Sequence, residues 1–184
     1  CEAMARLADH PDVGLGVNVS ARQVSDADFA LWVRQILRHA ELAPSRLAIE
    51  ITETALLRPN EVTTRNLRDL ADQGVEIVLD GFGMGYSPLA WLKQHPISGL
   101  KIDRSFIADL DRDPRGHAIV SSVVGLADAI GCTVTAVGIE TASQLEQLQV
   151  LGCHRVQGFH LFPPVPASEL EALLDEARAA ADAA

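Results

Sequence analysis

No run of apolar residues in the 184-residue chain reaches the roughly 18 needed to cross a membrane. No segment has the charged, apolar and small-residue order of a secretory signal. Membrane contact from this domain is therefore not expected, and the cytoplasm is the expected location, whether the domain stands alone or hangs on a larger sensor protein. Cysteine is scarce. Cys1, Cys132 and Cys153 are odd in number and lack C-x-x-C spacing, which argues against a disulfide framework and points to reduced, buried thiols. His10, His39, His95, His117, His154 and His160 show no ligand spacing and read as surface or packing residues. Basic charge is short as well: 15 Lys and Arg stand against 25 Asp and Glu, a net charge of −10. Such a surface repels nucleic acid and anionic lipid, so a small anionic ligand would need a local cation, either a metal or a well-placed Lys. The G-x-G-x-x-G fingerprint is missing too. Gly81 and Gly83 are followed by Tyr86 where a third glycine is required, so the segment reads as a close strand-to-helix passage.

What is present is a globular composition, 48% hydrophobic and 22% charged, enough for one domain over residues 1–184. The opening "CEAMARLADH" reads as the middle of a helix, and the chain is expected to be a fragment of a longer protein. Six apolar strands are predicted at 14–20, 46–52, 75–80, 99–103, 133–139 and 155–161, each followed by a helical pattern. Phe29, Trp32, Ile36 and Leu37 fall at helical spacing on one face. Ser87 and Pro88 read as a cap and a first-turn proline. "HAIVSSVVGLADAIG" reads as a buried helix closed by Gly131, and "TASQLEQLQVLG" opens on a T-x-x-Q capping box and closes on Gly152. The Ala-rich tail from Ser168 reads as a last helix.

Strand and helix alternating six times imply an α/β fold with a parallel sheet, either an open doubly wound sheet or part of an eight-stranded barrel. The polar residues favour the barrel. Asn18, Glu50, Asp80, Lys101, Asp103 and Gln157 fall in or at the ends of five different strands, and a barrel gathers side chains from many strand ends over one mouth. Parity puts Lys101 and Asp103 on one side, and Thr133, Thr135 and Val137 together on the face expected to line the mouth. Carboxylates, an amide and a lysine without clustered His or Cys are hard-oxygen chemistry, suited to Mg²⁺, Mn²⁺ or Ca²⁺ rather than zinc. Each also has a structural reading. Asp80 can cap the turn after it, Glu50 can pair with Arg46 or another base, Lys101 and Asp103 can pair with each other, and Asn18 can serve a turn before Ser20.

The ordered segments "VNVS" (17–20), "EITET" (50–54), "DGFGMGYSPL" (80–89), "KIDRSF" (101–106), "AVGIET" (136–141) and "QGF" (157–159) resemble the motifs of the EAL domain. The resemblance covers about residues 14 to 165. It implies a modified, TIM-like (β/α)₈ barrel with its first strands before Cys1, together with the Glu-Ala-Leu segment. It also implies hydrolysis of the bacterial second messenger cyclic diguanylate (c-di-GMP) with two Mg²⁺ or Mn²⁺ ions. By that resemblance Asn18, Glu50 and Asp80 are metal ligands, and Lys101 and Asp103 line the metal-bound water. Glu53 anchors the loop after Asp80, and Glu140 and Gln157 stand at ligand-binding positions.

Two departures from the family pattern bear on activity. Its second metal-binding aspartate is Gly81 here, and the glutamate assigned as general base is Val137. A degenerate domain is therefore expected, binding at most one weak Mg²⁺ or Mn²⁺ ion and acting as a c-di-GMP receptor or partner-binding module. A weak phosphodiesterase, or a structural or dimerisation domain without nucleotide, are the alternatives. A barrel short of strands exposes an apolar edge, so a protein partner or a homodimer is expected to cover it.

Overall fold

The computed structural model describes residues 10–53, 60–83 and 88–182, with side chains undescribed at 88–90 and from 178. Six strands, β1 (Leu15–Asn18), β2 (Leu47–Thr52), β3 (Glu76–Phe82), β4 (Gly99–Ile102), β5 (Thr133–Val137) and β6 (Arg155–Gln157), form one sheet in sequence order. Every neighbouring pair is parallel. Helices intervene: α1 (Ala21–Val24), α2 (Phe29–His39), α3 (Glu61–Ala71), α4 (Pro88–Gln94), α5 (Arg104–Ile107), α6 (Pro114–Ile130), α7 (Ala142–Val150) and the terminal α8 (Ala167–Asp182). The expected α/β barrel architecture is met as a curled half-barrel.

Alternation along β2 shows how the two faces arise. Leu47, Ile49 and Ile51 are buried, whereas Ala48 and Glu50 are half-buried and Thr52 is exposed. The first set joins Ile77 and Leu79 of β3, Leu100 and Ile102 of β4, and Val134 and Ala136 of β5 in one core. That core is completed from the helices by Leu67 and Leu70 of α3, Val120, Val124 and Ala127 of α6, and Leu148 of α7. Each such side chain contributes about 1.5–3 kcal/mol on full burial. The second set is left on the other, concave face.

Sequential parallel strands with no reversal of order have no switch point, and their helices all cover one face, so the sheet curls. The curl can be measured by one ion pair. In a flat sheet β3 and β6 would lie about 14 Å apart, three strand spacings. Here Arg155 of β6 grips Glu76 of β3 with two bonds, of 2.9 and 3.1 Å. At the other side of the sheet, α8 reaches the segment before β1 through Asp175 and His10, 3.4 Å apart.

Helix ends follow their expected chemistry where described. Thr141 and Gln144 form the capping box of α7, and Gly131 closes α6 in the left-handed conformation. The Ser87 cap and the helical opening over 1–9 lie outside the described residues. Two helix faces differ from expectation. In α2 the buried stripe is Phe29, Ala30, Val33 and Leu37, while Trp32 and Ile36 remain about half exposed, at 48% and 51%. The i, i+4, i+8 series 29–33–37 fixes the inward face, and Trp32 and Ile36 form a second ridge rotated toward solvent. Helix α6 buries only Gly116, Val120, Val124 and Ala127 along one stripe, so it is a surface helix rather than a buried one.

His95, just beyond α4, is buried at 7% exposure and stacks on Trp91 with ring centroids 5.0 Å apart. Neither ring nitrogen has a hydrogen-bond partner among the described residues. Burial, and secondarily the charge of Arg68, holds the imidazole below its ordinary value. The unfolded chain therefore takes up a proton here before the folded one does. This contribution to stability is full above the unfolded value, about 6.5, and is lost as pH falls from there toward the lowered folded value. Urea midpoints compared near pH 8 and pH 5.5 should show that loss in the wild type, and His95→Leu should shrink it; an equal loss in both proteins would assign it elsewhere.

Candidate functional site

The concave face carries Gly16 and Asn18, Glu50 and Thr52, Glu76, Val78 and Asp80, Lys101, Thr133, Thr135 and Val137, and Arg155 and Gln157, each following the parity of its strand. A groove of about 550 Å³ runs along it between β1 and β6. The threonine face of β5 thus lines the interior, as parity implied. Arg155 and Glu76 escaped the sequence reading, although they share the parity of Gln157 and of Asp80 and were legible on that ground.

Deepest in the charge layout is the pair Glu50–Lys101. Lys101 Nζ donates to Glu50 Oε2 at 2.7 Å, with the two side chains 14% and 11% exposed for Glu and Lys. Removing one member of a pair this well desolvated leaves the other charge stranded, at a cost of about 3–5 kcal/mol. Gly16 makes room for it, because a Cβ there would run into Glu50 Oε1. The partner of Glu50 is therefore Lys101, a base across the mouth rather than Arg46, and the Lys101–Asp103 pairing considered from sequence does not form. The Glu76–Arg155 pair is more exposed, at 31% and 52%, and its worth lies nearer ~0–1 kcal/mol.

Asp80 and Gly81 sit at an irregularity of the sheet. Leu79 registers with Leu100 and Phe82 with Ile102, so two residues of β3 face the single Lys101 of β4. That is a β-bulge, and Gly81 has the left-handed φ of +71° such a site favours. Gly81 therefore belongs to the strand rather than to the strand-to-helix passage expected, and β3 runs on to Phe82. The Asp80 carboxylate accepts the Gly81 N–H at 2.9 Å, the local capping role considered from sequence, and registers beside Thr52 of β2.

The remaining candidates are spread around the strand ends. Asn18 is exposed and registers with Glu50, and both line a recess with Ser20, Gln23 and Thr52. Ser20 and Gln23 form the capping box of α1. Asp103 caps α5 and accepts the Ser105 N–H at 2.9 Å; that bond, before all else, holds its carboxyl below the usual carboxylate range. Glu53 is buried at 4% exposure directly after β2. Glu140 is exposed, its N–H donating to Gln144.

Val137 and Gln157 register with each other, and a tight knot fixes both. The Gln157 carbonyl accepts the N–H groups of Gly138 and Ile139 at 2.7 and 3.1 Å. His160 N–H returns to the Ile139 carbonyl at 3.0 Å. A Cβ at Gly158 would fall on the Ile139 backbone, so only glycine lets β6 approach this closely.

Polar side chains from several parallel strands, turned onto one concave face, define a TIM-like (β/α)-barrel protein with a multi-strand site. The chain belongs to the EAL family: the EAL domain matches residues 1–164. It is 42% identical over 172 residues to the bifunctional diguanylate cyclase/cyclic di-GMP phosphodiesterase MucR of Pseudomonas aeruginosa, covering 92% of this chain and 25% of MucR. It therefore spans about a quarter of the length of that relative. Among solved structures, the MucR phosphodiesterase in complex with c-di-GMP superposes with a TM-score of 0.85 at 41% identity, over 92% of this chain and 70% of that one. The EAL domain of Mycobacterium smegmatis DcpA gives 0.89 at 37% identity, over 96% and 80%. Klebsiella pneumoniae BlrP1, solved as a manganese and c-di-GMP complex, gives 0.76 at 30% identity, over 85% of this chain and 39% of that one. No helix among the described residues is long and apolar enough to cross a membrane.

The knot at the ends of β5 and β6 gives a direct test. Gly158→Ala should destabilise the fold by about 2–3 kcal/mol, the cost of forcing a methyl group into a packed backbone contact. Denaturant unfolding measures it, and a loss below about 0.5 kcal/mol, the range of an ordinary surface change, would show that the knot relaxes freely.

Proposed function

We propose that this chain is a degenerate EAL domain that binds c-di-GMP as a receptor, or otherwise works as a regulatory module, without efficient hydrolysis. The observation that carries this is the pair of positions Gly81 and Val137. Both lie at the strand ends with Asp80, Lys101 and Gln157, and neither has a side-chain oxygen. Two divalent ions about 3.5–4 Å apart need carboxylates to offset their mutual repulsion. Among the described residues no group of three His, Cys, Asp or Glu suited to an ion occurs. The donors left are Asn18, Asp80, Asp103, which also caps α5, and a Glu50 held by Lys101, a set without the carboxylates at 81 and 137 that a second ion would need. A positioned general base is worth about 10²–10⁴ in rate, and Val137 supplies none. The kinship with MucR and BlrP1, both solved with c-di-GMP, supports that nucleotide as the ligand. The groove lined by Lys101, Arg46 and Arg155 offers the local cations that a dianion requires on a protein of net charge −10.

Calorimetry with c-di-GMP and a hydrolysis assay in saturating Mg²⁺ or Mn²⁺ test this reading. Binding with turnover at background is the expected result. Turnover at the level of active relatives would establish a phosphodiesterase instead, and failure to bind would leave a structural or dimerisation role.

Restoring the two acids predicts a specific pattern. A Cβ at Gly81 meets nothing within 4 Å, so Gly81→Asp fits in space, although φ of +71° costs an L-residue about 1–2 kcal/mol. It should tighten Mn²⁺ binding with little gain in turnover. Val137→Glu alone places a carboxyl at a half-buried position and should cost stability. Only the double substitution should raise hydrolysis, well beyond the product of the single effects, because metal and base act on one water. Metal titrations and turnover across the four proteins check this, and full activity from either single change would overturn it.

A further inference from the structure

We propose that Phe106 is a positioning residue of the mouth: from α5 its ring seats the turn at Gly83 and so sets the end of β3, where Asp80 and Gly81 lie. The inference deepens the reading of the mouth as a c-di-GMP site, and its binding test rests on that reading.

A Cβ at Gly83 would come to 2.9 Å from Phe106 Cε2 and 3.0 Å from Cζ, so the tip of the ring lies directly against the glycine. Gly83 has φ of +100°, which glycine adopts freely, and it has no side chain with which to pin the turn. Gly81 is two residues earlier, and the ladder between β3 and β4 shifts between Leu79 and Phe82. A strand end with two glycines and a bulge is short of internal constraint. The ring supplies one from outside the strand.

A ring can fix a turn only from a support that is itself fixed. A helix as short as α5 does not hold itself, so its rigidity must come from its neighbours. Ile107, the residue after Phe106, is fully buried in the core. Asp103 caps the first turn through the Ser105 N–H at 2.9 Å. At the far end the Ala108 carbonyl accepts Gln144 Nε2 at 3.1 Å. Gln144 is buried, and its Oε1 in turn accepts the N–H groups of Glu140 and Thr141 at 2.8 and 3.1 Å. Phe106 therefore stands on a helix tied to the core, to β4 and to the start of α7.

The same helix touches the end of β5. A Cβ at Gly138, the residue after Val137, would come to 2.6 Å from Arg104 Cβ. Strands β3 and β5 do not pair with each other, since β4 lies between them. Helix α5 is thus wedged between two glycine turns, one beside position 81 and one beside position 137, and its thickness sets how far apart those strand ends stand. Loss of the Phe106 ring would free the β3 side of the wedge and leave the β5 side, held by Arg104 and Gln144, in place.

Amide hydrogen exchange followed by NMR separates positioning from ordinary packing. Phe106→Ala should speed exchange at Gly81 and Phe82 at least about tenfold more than at Ile51 of β2, because it opens the strand end without opening the core. Val124→Ala, a truncation of the buried face of α6, should speed all three sites alike. An equal rise at all three sites in Phe106→Ala would reduce the ring to packing and overturn the proposal. If Phe106→Ala fails to fold, Phe106→Leu, which keeps apolar bulk but falls short of Gly83, takes its place with the same inequality expected. Calorimetry with c-di-GMP is the second measurement. Phe106→Ala should weaken binding at least about tenfold, while Val124→Ala stays within about threefold of the wild type. Equal affinity in Phe106→Ala and the wild type would also overturn the proposal. A wild type that binds no c-di-GMP overturns the receptor reading instead, and the exchange pattern then decides the role of Phe106 by itself.

Discussion

The curl of an all-parallel sheet in strict sequence order is the constraint on which the rest depends. Because β1 to β6 never reverse order, the core-forming helices α2, α3, α6 and α7 cover the convex side and alternate strand residues face the concave one. The curl brings residues from strands two and three places apart within hydrogen-bond reach. Glu50 meets Lys101, and Glu76 meets Arg155. A flat sheet with the same sequence would present the same polar residues as a scattered row.

Within that frame the local chemistry is set by one extra residue. The bulge at Asp80 and Gly81 lets two positions of β3 face Lys101, and the left-handed backbone at 81 accepts glycine without strain. The same conformation is within reach of aspartate, one of the few residues that adopts it at modest cost. Position 81 is thus a place where the backbone admits either glycine or aspartate. Val137 fits the same picture, since a strand end held by the Gln157 carbonyl and by Gly158 does not depend on the side chain at 137.

The polarity of the site follows from these two features. Oxygen donors survive at Asn18, Glu50 and Asp80, but the charge that balances Glu50 is built into the chain as Lys101.

Much of this was legible in the sequence because strand parity is local. Alternation in "LAIEIT" and "TVTAV" fixed which residues face inward, the T-x-x-Q and Gly131 signals fixed helix ends, and the ordered motifs pointed to the barrel and its family. The glycine and valine at 81 and 137 were visible as departures for the same reason. Tertiary structure alone decided which charges meet. Glu50 and Lys101 are 51 residues apart and on non-adjacent strands, and their contact depends on the radius of the curl, which no local pattern encodes. The bulge, a mismatch between two strands, needed both strands in register to be seen. So did the exposure of Trp32 and Ile36 and the burial of His95, because apolar spacing on a helix names a stripe while its neighbours choose which side of that stripe turns inward.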